Sequence, residues 1–231
     1  MNIAIIPARG GSKRIPRKNI KSFYGKPIIA YSIEAALQSG VFDRVIVSTD
    51  DSEIAEIASE YGADVPFTRP QALSCDHTAT VPVIKHAIEE IEQQTGIVIE
   101  NACCIYATAP FVDEKDIKQA KVILDRHDIN YVVPVCDFDY PIQRALTCDE
   151  NNNIKMIEPE NIWVRSQDLP EAFHDIGQFY WGTKSAWVNE KPLLSDEAMC
   201  IKVDRSKVQD IDTEDDWRRA ELIFRYLQET E

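Results

Sequence analysis

The start of this chain constrains it most. An apolar run, Ile3-Ala4-Ile5-Ile6, ends at Pro7 and opens into a loop holding Gly10, Gly11 and Pro16. Such a run is too short for a helix and reads as a buried strand. The loop carries Arg9, Lys13, Arg14, Arg17, Lys18 and Lys21; Lys26 makes seven positive charges, and no acidic residue precedes Glu34. The whole chain has a formal charge of −14, so the remainder is strongly acidic. An acidic protein that gathers positive charge on one glycine-bearing loop after its first strand is built to hold a polyanion there. A nucleoside triphosphate is the first candidate. Backbone N–H groups at Gly10 and Gly11 can approach phosphates closely, and arginine and lysine neutralise them.

Strand and helix patterns alternate from there on. Helices are expected over 27–39, 53–61, 78–94, 114–126, 183–189 and 213–228. The first has apolar residues at Ile28, Ile29, Tyr31, Ile33, Ala36 and Leu37 and stops at Gly40. Strands are expected over 3–7, 44–48, 64–67, 101–107, 131–135 (despite Pro134), 177–182, 200–203 and around Val208. Residues 136–175 are polar, rich in Asp, Asn and Pro, and have no clear period. An inserted arm over about 137–172 is expected there, with Asn151-Asn152-Asn153 as its hairpin turn. The expected fold class is α/β: three layers around a mostly parallel sheet, one domain spanning 1–231. Ligands in such sheets bind at the carboxyl ends of strands, which selects loops 7–26, 48–52, 68–80, 107–113 and 204–213.

No apolar stretch nears the roughly 20 residues needed to cross a bilayer, and the start does not read as a signal peptide. The six cysteines show no CxxC or Cys/His metal spacing, Cys103-Cys104 falls in an apolar run, and free thiols in a reducing cytoplasm are expected. The acidic balance argues against nucleic-acid binding, which needs a broad basic face.

The first loop contains neither GxxxxGK[ST] nor GxGxxG, so the P-loop and dinucleotide readings both fail. The segment Val208-Gln209-Asp210-Ile211-Asp212-Thr213 adds a second element. Asp210 and Asp212 are two apart, so an extended segment projects both to one side, where they can hold Mg²⁺. The competing reading is that Asp212 or Thr213 caps the closing helix. A basic glycine loop and a Mg²⁺ site together are what transfer from a nucleoside triphosphate requires.

IAIIPARGGSKRIPRKN, VIVSTDD, FTRPQALSCDHT and QDIDTEDDW, in that order over residues 3–228, resemble the cytidylyltransferases that activate nonulosonic acids as CMP-sugars. PIQRAL, RSQDLPEAFHDIGQFYWG and VQDIDTEDDW resemble the pseudaminic acid branch more than the sialic acid enzymes. The resemblance implies a CTP-dependent enzyme with a Mg²⁺ requirement and a homodimer formed through the arm. It matches Arg9 and Lys18 to the triphosphate-binding pair, Asn19 to the residue reading the cytosine or ribose end, and Asp210 and Asp212 to the metal pair. Arg69 matches the arginine of the RP motif and Thr80 a small hydroxyl residue near the base. Ala8, Gly10, Gly11 and Ser12 complete the expected nucleotide contacts.

At the sugar-facing positions this chain has Tyr106 and Val112 where sialic acid enzymes have glutamine and arginine, and His174-Asp175-Ile176-Gly177 where they have an arginine followed by Pro-Asn-Gly. A differently configured nine-carbon acid is therefore expected. Tyr106, Gln143, Arg144, Arg165, Gln167, His174, Asp175 and Gln178 are the candidate sugar contacts, with Phe179 and Tyr180 flanking a methyl group; the arginines can instead hold the arm and the dimer together. Trp163 and Trp181 are expected to pack. The base that takes the sugar hydroxyl's proton stays open between a metal-bound water or hydroxide and direct metal activation. Rivals are a sialic, legionaminic or octulosonic acid enzyme, a catalytically silent sugar-nucleotide binder, and an RNA-binding protein.

Overall fold

A computed structural model describes residues 1–230. In chain order the elements are β1 (Asn2–Pro7), β2 (Ser22–Phe23), β3 (Lys26–Pro27), α1 (Ile28–Ser39), β4 (Arg44–Ser48), α2 (Ser52–Glu60), α3 (Thr80–Thr95), β5 (Asn101–Ile105), α4 (Glu114–Arg126), β6 (Tyr131–Asp137), β7 (Leu146–Cys148), β8 (Ile154–Met156), β9 (Phe173–Asp175), β10 (Phe179–Thr183), α5 (Lys184–Val188), β11 (Ala198–Lys202) and α6 (Glu214–Thr230). The main sheet runs β11-β6-β10-β5-β1-β4, with β9 also pairing β6. β4, β1 and β5 are parallel to one another, as are β6 and β11; β10 lies antiparallel between β5 and β6.

Alternation along the strands assigns their side chains to two cores. Ala4, Ile6, Cys103 and Ile105 pack with Ile29 and Ile33 of α1, Ile54 of α2 and Ile117 of α4. Ile3, Ile5, Ala102 and Cys104 face the other way, onto Ile84, Ile88 and Ile91 of α3 and Trp187 of α5. This explains why β1 and β5 are continuously apolar: each is covered by helices on both faces. A third core lies outside the sheet. Ile15 and Phe23 of the first loop pack with Ile28, Phe111, Ile211, Trp217 and Ala220. The Phe23 ring meets Tyr31, Phe111, Trp217 and Phe224 edge-on, with centroids 5.4–6.5 Å apart. That cluster fastens the loop after β1 to α6 and to the segment leading into it.

Two expected strands are corrected. Residues 64–67 make one isolated bridge, Asp64 with Ile46, and a second follows at Thr68 with Thr49; Pro66 between them has no N–H with which to continue a ladder. Around Val208 there is no strand: Asp204 caps a 3-10 turn at Arg205–Lys207, and Val208 N–H closes onto Arg205 O. Pro134, by contrast, fits inside β6. On one side it is in register with Ile201; on the other it lies between the residues paired to β10 (Tyr131, Val132) and those paired to β9 (Val135–Asp137), where no donor is needed.

Residues 138–172 leave the sheet at the end of β6 and return as β9 on the same strand. They form the β7–β8 hairpin, whose turn is held by Asp149 accepting from Asn151 and Asn153 N–H, and a 3-10 segment at Pro159–Trp163. Their apolar side chains point outward: Tyr140, Leu146, Ile154 and Ile157 are exposed, and Trp163 is 89% exposed. The expectation that Trp163 packs is thus corrected within one chain. Trp181 does pack, stacked on Phe42 with its Nε1–H donating to Ile117 O at 3.0 Å.

Candidate functional site

The loop after β1 is fixed by the ends of neighbouring strands and helices. Ala8 N–H donates to Ser48 O at the end of β4, and Gly10 N–H to Asp50 Oδ1 at 2.9 Å. A Cβ on Gly10 would lie 2.6 Å from Asp51 Oδ2, so glycine is required for close approach. Gly10 N–H is thus engaged by Asp50, whereas Gly11 has open space around it. Asp51 caps α2 by accepting from Ile54 N–H and also takes the guanidinium of Arg17, which reaches Glu53 as well. Arg17 sits at φ 55°, a left-handed conformation that costs a non-glycine residue on the order of 1–3 kcal/mol. Those ion pairs hold it there. Arg17 pulls the Asp51 carboxyl down to about 2.

Four of the seven early cations line one cavity of about 350 Å³, together with Ser12, Asn19, Asp76 and Asp212. They are Arg9, Lys13, Arg14 and Lys18. Asp76 pairs with Arg9 and Lys13; Asp212 pairs with Arg14 at 2.9 Å and lies 3.6 Å from Lys18 Nζ. Lys18 Nζ also donates to Ile211 O, and burial lowers its pKa against the pull of Asp212 and Asp210. Asn19 Nδ2 donates to Arg9 O at 2.9 Å. The other three cations turn away, Arg17 to α2, Lys21 to Glu214 and Lys26 to Glu34. The cavity thus gathers four of the seven charges.

The carboxylate pair can now be weighed against the helix-cap reading. Thr213 Oγ1 accepts from Asp216 N–H, and Asp216 Oδ2 accepts from the N–H groups of Asp212 and Thr213. This is a reciprocal cap of the capping-box kind, made by Thr213 and Asp216. It leaves the Asp212 side chain free to face the cavity, with Asp210 exposed near Lys18. Among the described residues no group of three or more His, Cys, Asp or Glu side chains is arranged to hold a metal. Two hard oxygen donors beside a basic cavity fit a cation that fills its remaining positions with water and phosphate oxygens, the habit of Mg²⁺.

Arg69 is buried, with Nη2 3.9 Å from Asp50 Oδ1 and no hydrogen-bond partner for Nε or Nη2. Such orphaned donors are costly, which marks Arg69 as ready to meet an acceptor. Thr80 Oγ1 and Tyr106 Oη are hydrogen-bonded at 3.0 Å, and burial pushes the Tyr106 phenol up to about 12. Tyr106 meets Tyr180 edge-on, and Tyr180 Oη donates to Asp175 Oδ2 at 2.6 Å. Gln178 is buried; its Nε2 donates to Lys207 O and its Oε1 has no partner. Thr80, Tyr106 and Asp175 are therefore brought into one chain of contacts. Phe179 is fully buried in the core, which corrects its expected place beside a methyl group.

The remaining sugar candidates are separated from the cavity. Gln143 Nε2 donates to Pro170 O at 2.9 Å, Arg144 to Val164 O, and Arg165 Nε to Asp168 at 2.8 Å, all inside the arm. Gln143 and Gln167 line a cleft of about 510 Å³ there. His174 donates from Nδ1 to Asp175 O and lies in another cleft, about 840 Å³, with Tyr140, Arg205, Arg219 and Tyr226. Both clefts are larger than the basic cavity. Only the basic cavity gathers four cations with two carboxylates, and chemistry, not volume, selects it.

Residues 3–171 match the family model described as cytidylyltransferase. The chain belongs to the cytidylyltransferase family. Within it, the chain is 44% identical over 229 residues to the pseudaminic acid cytidylyltransferase of Campylobacter jejuni, covering 99% of this chain and 98% of that one. It is 30% identical to the CMP-N,N'-diacetyllegionaminic acid synthase of Legionella pneumophila, covering 98% and 97%. The solved structure of CMP:2-keto-3-deoxy-manno-octonic acid synthetase complexed with CTP shares the fold, with a TM-score of 0.71, 16% identity and coverage of 97% and 98%.

Asp50, Asp51 and Asp76 were not among the expected site residues, and Tyr180 was expected only beside a methyl group, not as a partner of Asp175. Asp50 and Asp51 fall in the loop 48–52 selected above, but nothing in their spacing ties them to a loop 40 residues earlier. Asp76 lies in Ser-Cys-Asp-His-Thr, a stretch with no periodicity to give it a direction.

Proposed function

We propose that this cytidylyltransferase transfers CMP from CTP to the anomeric hydroxyl of a nonulosonic acid, pseudaminic acid, and releases pyrophosphate. The observation that carries the reading is the cavity in which Arg9, Lys13, Arg14 and Lys18 converge opposite Asp212. The 44% full-length identity to the Campylobacter enzyme supports the choice of sugar. Arg9 and Lys18 bind the phosphates, and Lys13 and Arg14 add charge at the rim. Ala8, Gly11, Ser12 and Asn19 shape the nucleotide side; Arg69, with its free donors, and Thr80 serve its far end. Asp210 and Asp212 would hold Mg²⁺, which when bound neutralises charge on the α-phosphate and the leaving pyrophosphate.

The sugar hydroxyl attacks the α-phosphorus as the bond to the β-phosphate breaks. Positioning and fixed charge supply most of the rate, since no covalent intermediate on the protein is needed. Tyr106, Asp175 and Gln178 read the sugar from the sheet. Residues 137–172 serve as the dimer contact of a single-domain, cytoplasmic chain. Their outward Tyr140, Ile154, Ile157 and Trp163 support that assignment, because a monomer gains nothing by exposing them.

The test is pyrophosphate release from CTP and Mg²⁺ with pseudaminic, legionaminic, sialic and octulosonic acids. We expect kcat/KM for pseudaminic acid to exceed that for sialic acid at least tenfold, a ratio that needs only ~1.4 kcal/mol of differential transition-state binding. Release with legionaminic acid at the higher rate would reassign the sugar, and no release with any acid would remove the activity.

A further inference from the structure

The cavity's two anions hold its four cations in two pairs: Asp212 with Arg14 and Lys18, Asp76 with Arg9 and Lys13. The pairs are not equivalent. Asp212 lies beside Asp210 in the segment entering α6 and has a cation of its own to bind. Asp76 has no such task. It lies on a separate strap, residues 70–79, between Arg69, whose N–H is tied to Thr49 O, and Thr80 at the start of α3. The strap is bonded mainly to itself. Leu73 N–H reaches Pro70 O, Ser74 N–H reaches Gln71 O, Thr78 N–H reaches Cys75 O, and the side chains of Cys75 and Thr78 meet at 3.0 Å. Among the described residues, Asp76 is the one strap side chain that bonds to the loop after β1.

The contact is also open to replacement. Asp76 is about a third exposed, as is Arg9, and Lys13 is 80% exposed. An exposed ion pair is weak, and a multivalent anion outcompetes one carboxylate for two adjacent cations.

Resting on the reading that this cavity takes the polyphosphate end of CTP, we propose that Asp76 is a resident counter-anion. It holds Arg9 and Lys13 between turnovers, is displaced by the triphosphate, and recaptures both cations as pyrophosphate leaves. Asp76 then sets how tightly the site keeps its leaving group. It is a positioning residue, because it acts through Arg9 and Lys13.

The test is calorimetric titration of the full-length protein with inorganic pyrophosphate. The wild type is compared with Asp76→Asn, which keeps the shape and removes the charge, and Asp76→Glu, which keeps the charge. We expect Asp76→Asn to bind pyrophosphate at least fivefold tighter and to show a lower KM for CTP, with Asp76→Glu no tighter than wild type. Unchanged or weaker binding by Asp76→Asn would make Asp76 a bystander or a brace for Arg9 and overturn the proposal. Tightening in both variants would overturn it too, since the charge would not be the cause. The titration needs no turnover. A wild type that binds pyrophosphate but makes none from CTP and any nonulosonic acid would count against the proposed activity alone.

Discussion

In the loop after β1, charged side chains are fixed by groups far away in the sequence. Arg17 reaches Asp51, Lys18 reaches the carbonyl of Ile211, and Lys21 reaches Glu214, separations of 34, 193 and 193 residues. In the arm, Gln143, Arg144 and Arg165 bond to groups 27, 20 and 3 residues away, inside the same excursion. The loop is underlaid by a buried cluster around Phe23, whereas the arm turns Tyr140, Ile154 and Trp163 outward. Lys18 is thereby held on the cavity while Arg17 and Lys21 brace the loop that carries it, the kind of preorganisation that stabilisation of developing charge requires. An arm that bonds mainly within itself and exposes its apolar side chains fits the dimer contact proposed for it. On the proposed reading, one region carries the chemistry and the other is a contact for a second copy of the chain.

The largest effect expected from this contrast is at Lys18. Lys18→Ala removes a part-buried cation without disturbing any core, so turnover should fall by on the order of 10²–10³ or more while the melting temperature stays near that of the parent. A folded variant with parent-like pyrophosphate release would erase the distinction between the regions.

The second prediction concerns the arm. The double substitution Ile154→Ser, Trp163→Ser should convert a dimer to monomers in light scattering at micromolar concentration, leaving the helical circular dichroism intact. A parent chain that is already monomeric, or a dimer that survives both changes, would mean the exposed face is not a contact.

The third effect is smaller and belongs to the loop's scaffold. The Asp51 carboxyl is held at about 2 by Arg17, below its ordinary value. A depressed carboxyl contributes stability that is present above the unfolded pKa of roughly 3.9 and is lost as pH falls through about 2. Asp51→Asn should therefore cost stability at pH 5 and progressively less toward pH 2 in denaturant titrations. An equal cost at both pH values would show that Arg17 is not held through this carboxylate.

How far the sequence reaches differs between the same two regions. The alternation of strand and helix was legible because burial on both faces leaves continuous apolar runs such as Ile3–Ile6 and a helical period such as Ile84, Ile88 and Ile91. Lys18 was singled out from the basic loop, Asp212 from its spacing to Asp210 and Asn19 from the family resemblance, and the structure places all three on one cavity. The three cations that face away were not separable from the four that face in, since direction comes from Asp51, Glu214 and Glu34, each set by tertiary packing. The strand expected at 64–67 failed at a single proline. Trp163 was misjudged because a tryptophan for a core and one for an interface have the same composition. The arm's existence could be read from the loss of periodicity, whereas the partners of Gln143, Arg144 and Arg165 are set by the arm's own turns, which have no period to read.

Amide hydrogen exchange with and without CTP and Mg²⁺ compares the two regions in one experiment. If the basic loop binds the triphosphate, peptides covering residues 8–21 and 204–213 should gain protection on adding CTP, while those covering 138–172 keep the exchange of the nucleotide-free protein. Protection confined to the arm, with the loop after β1 unchanged, would contradict the assignment of the nucleotide to the cavity of Arg9, Lys13, Arg14 and Lys18.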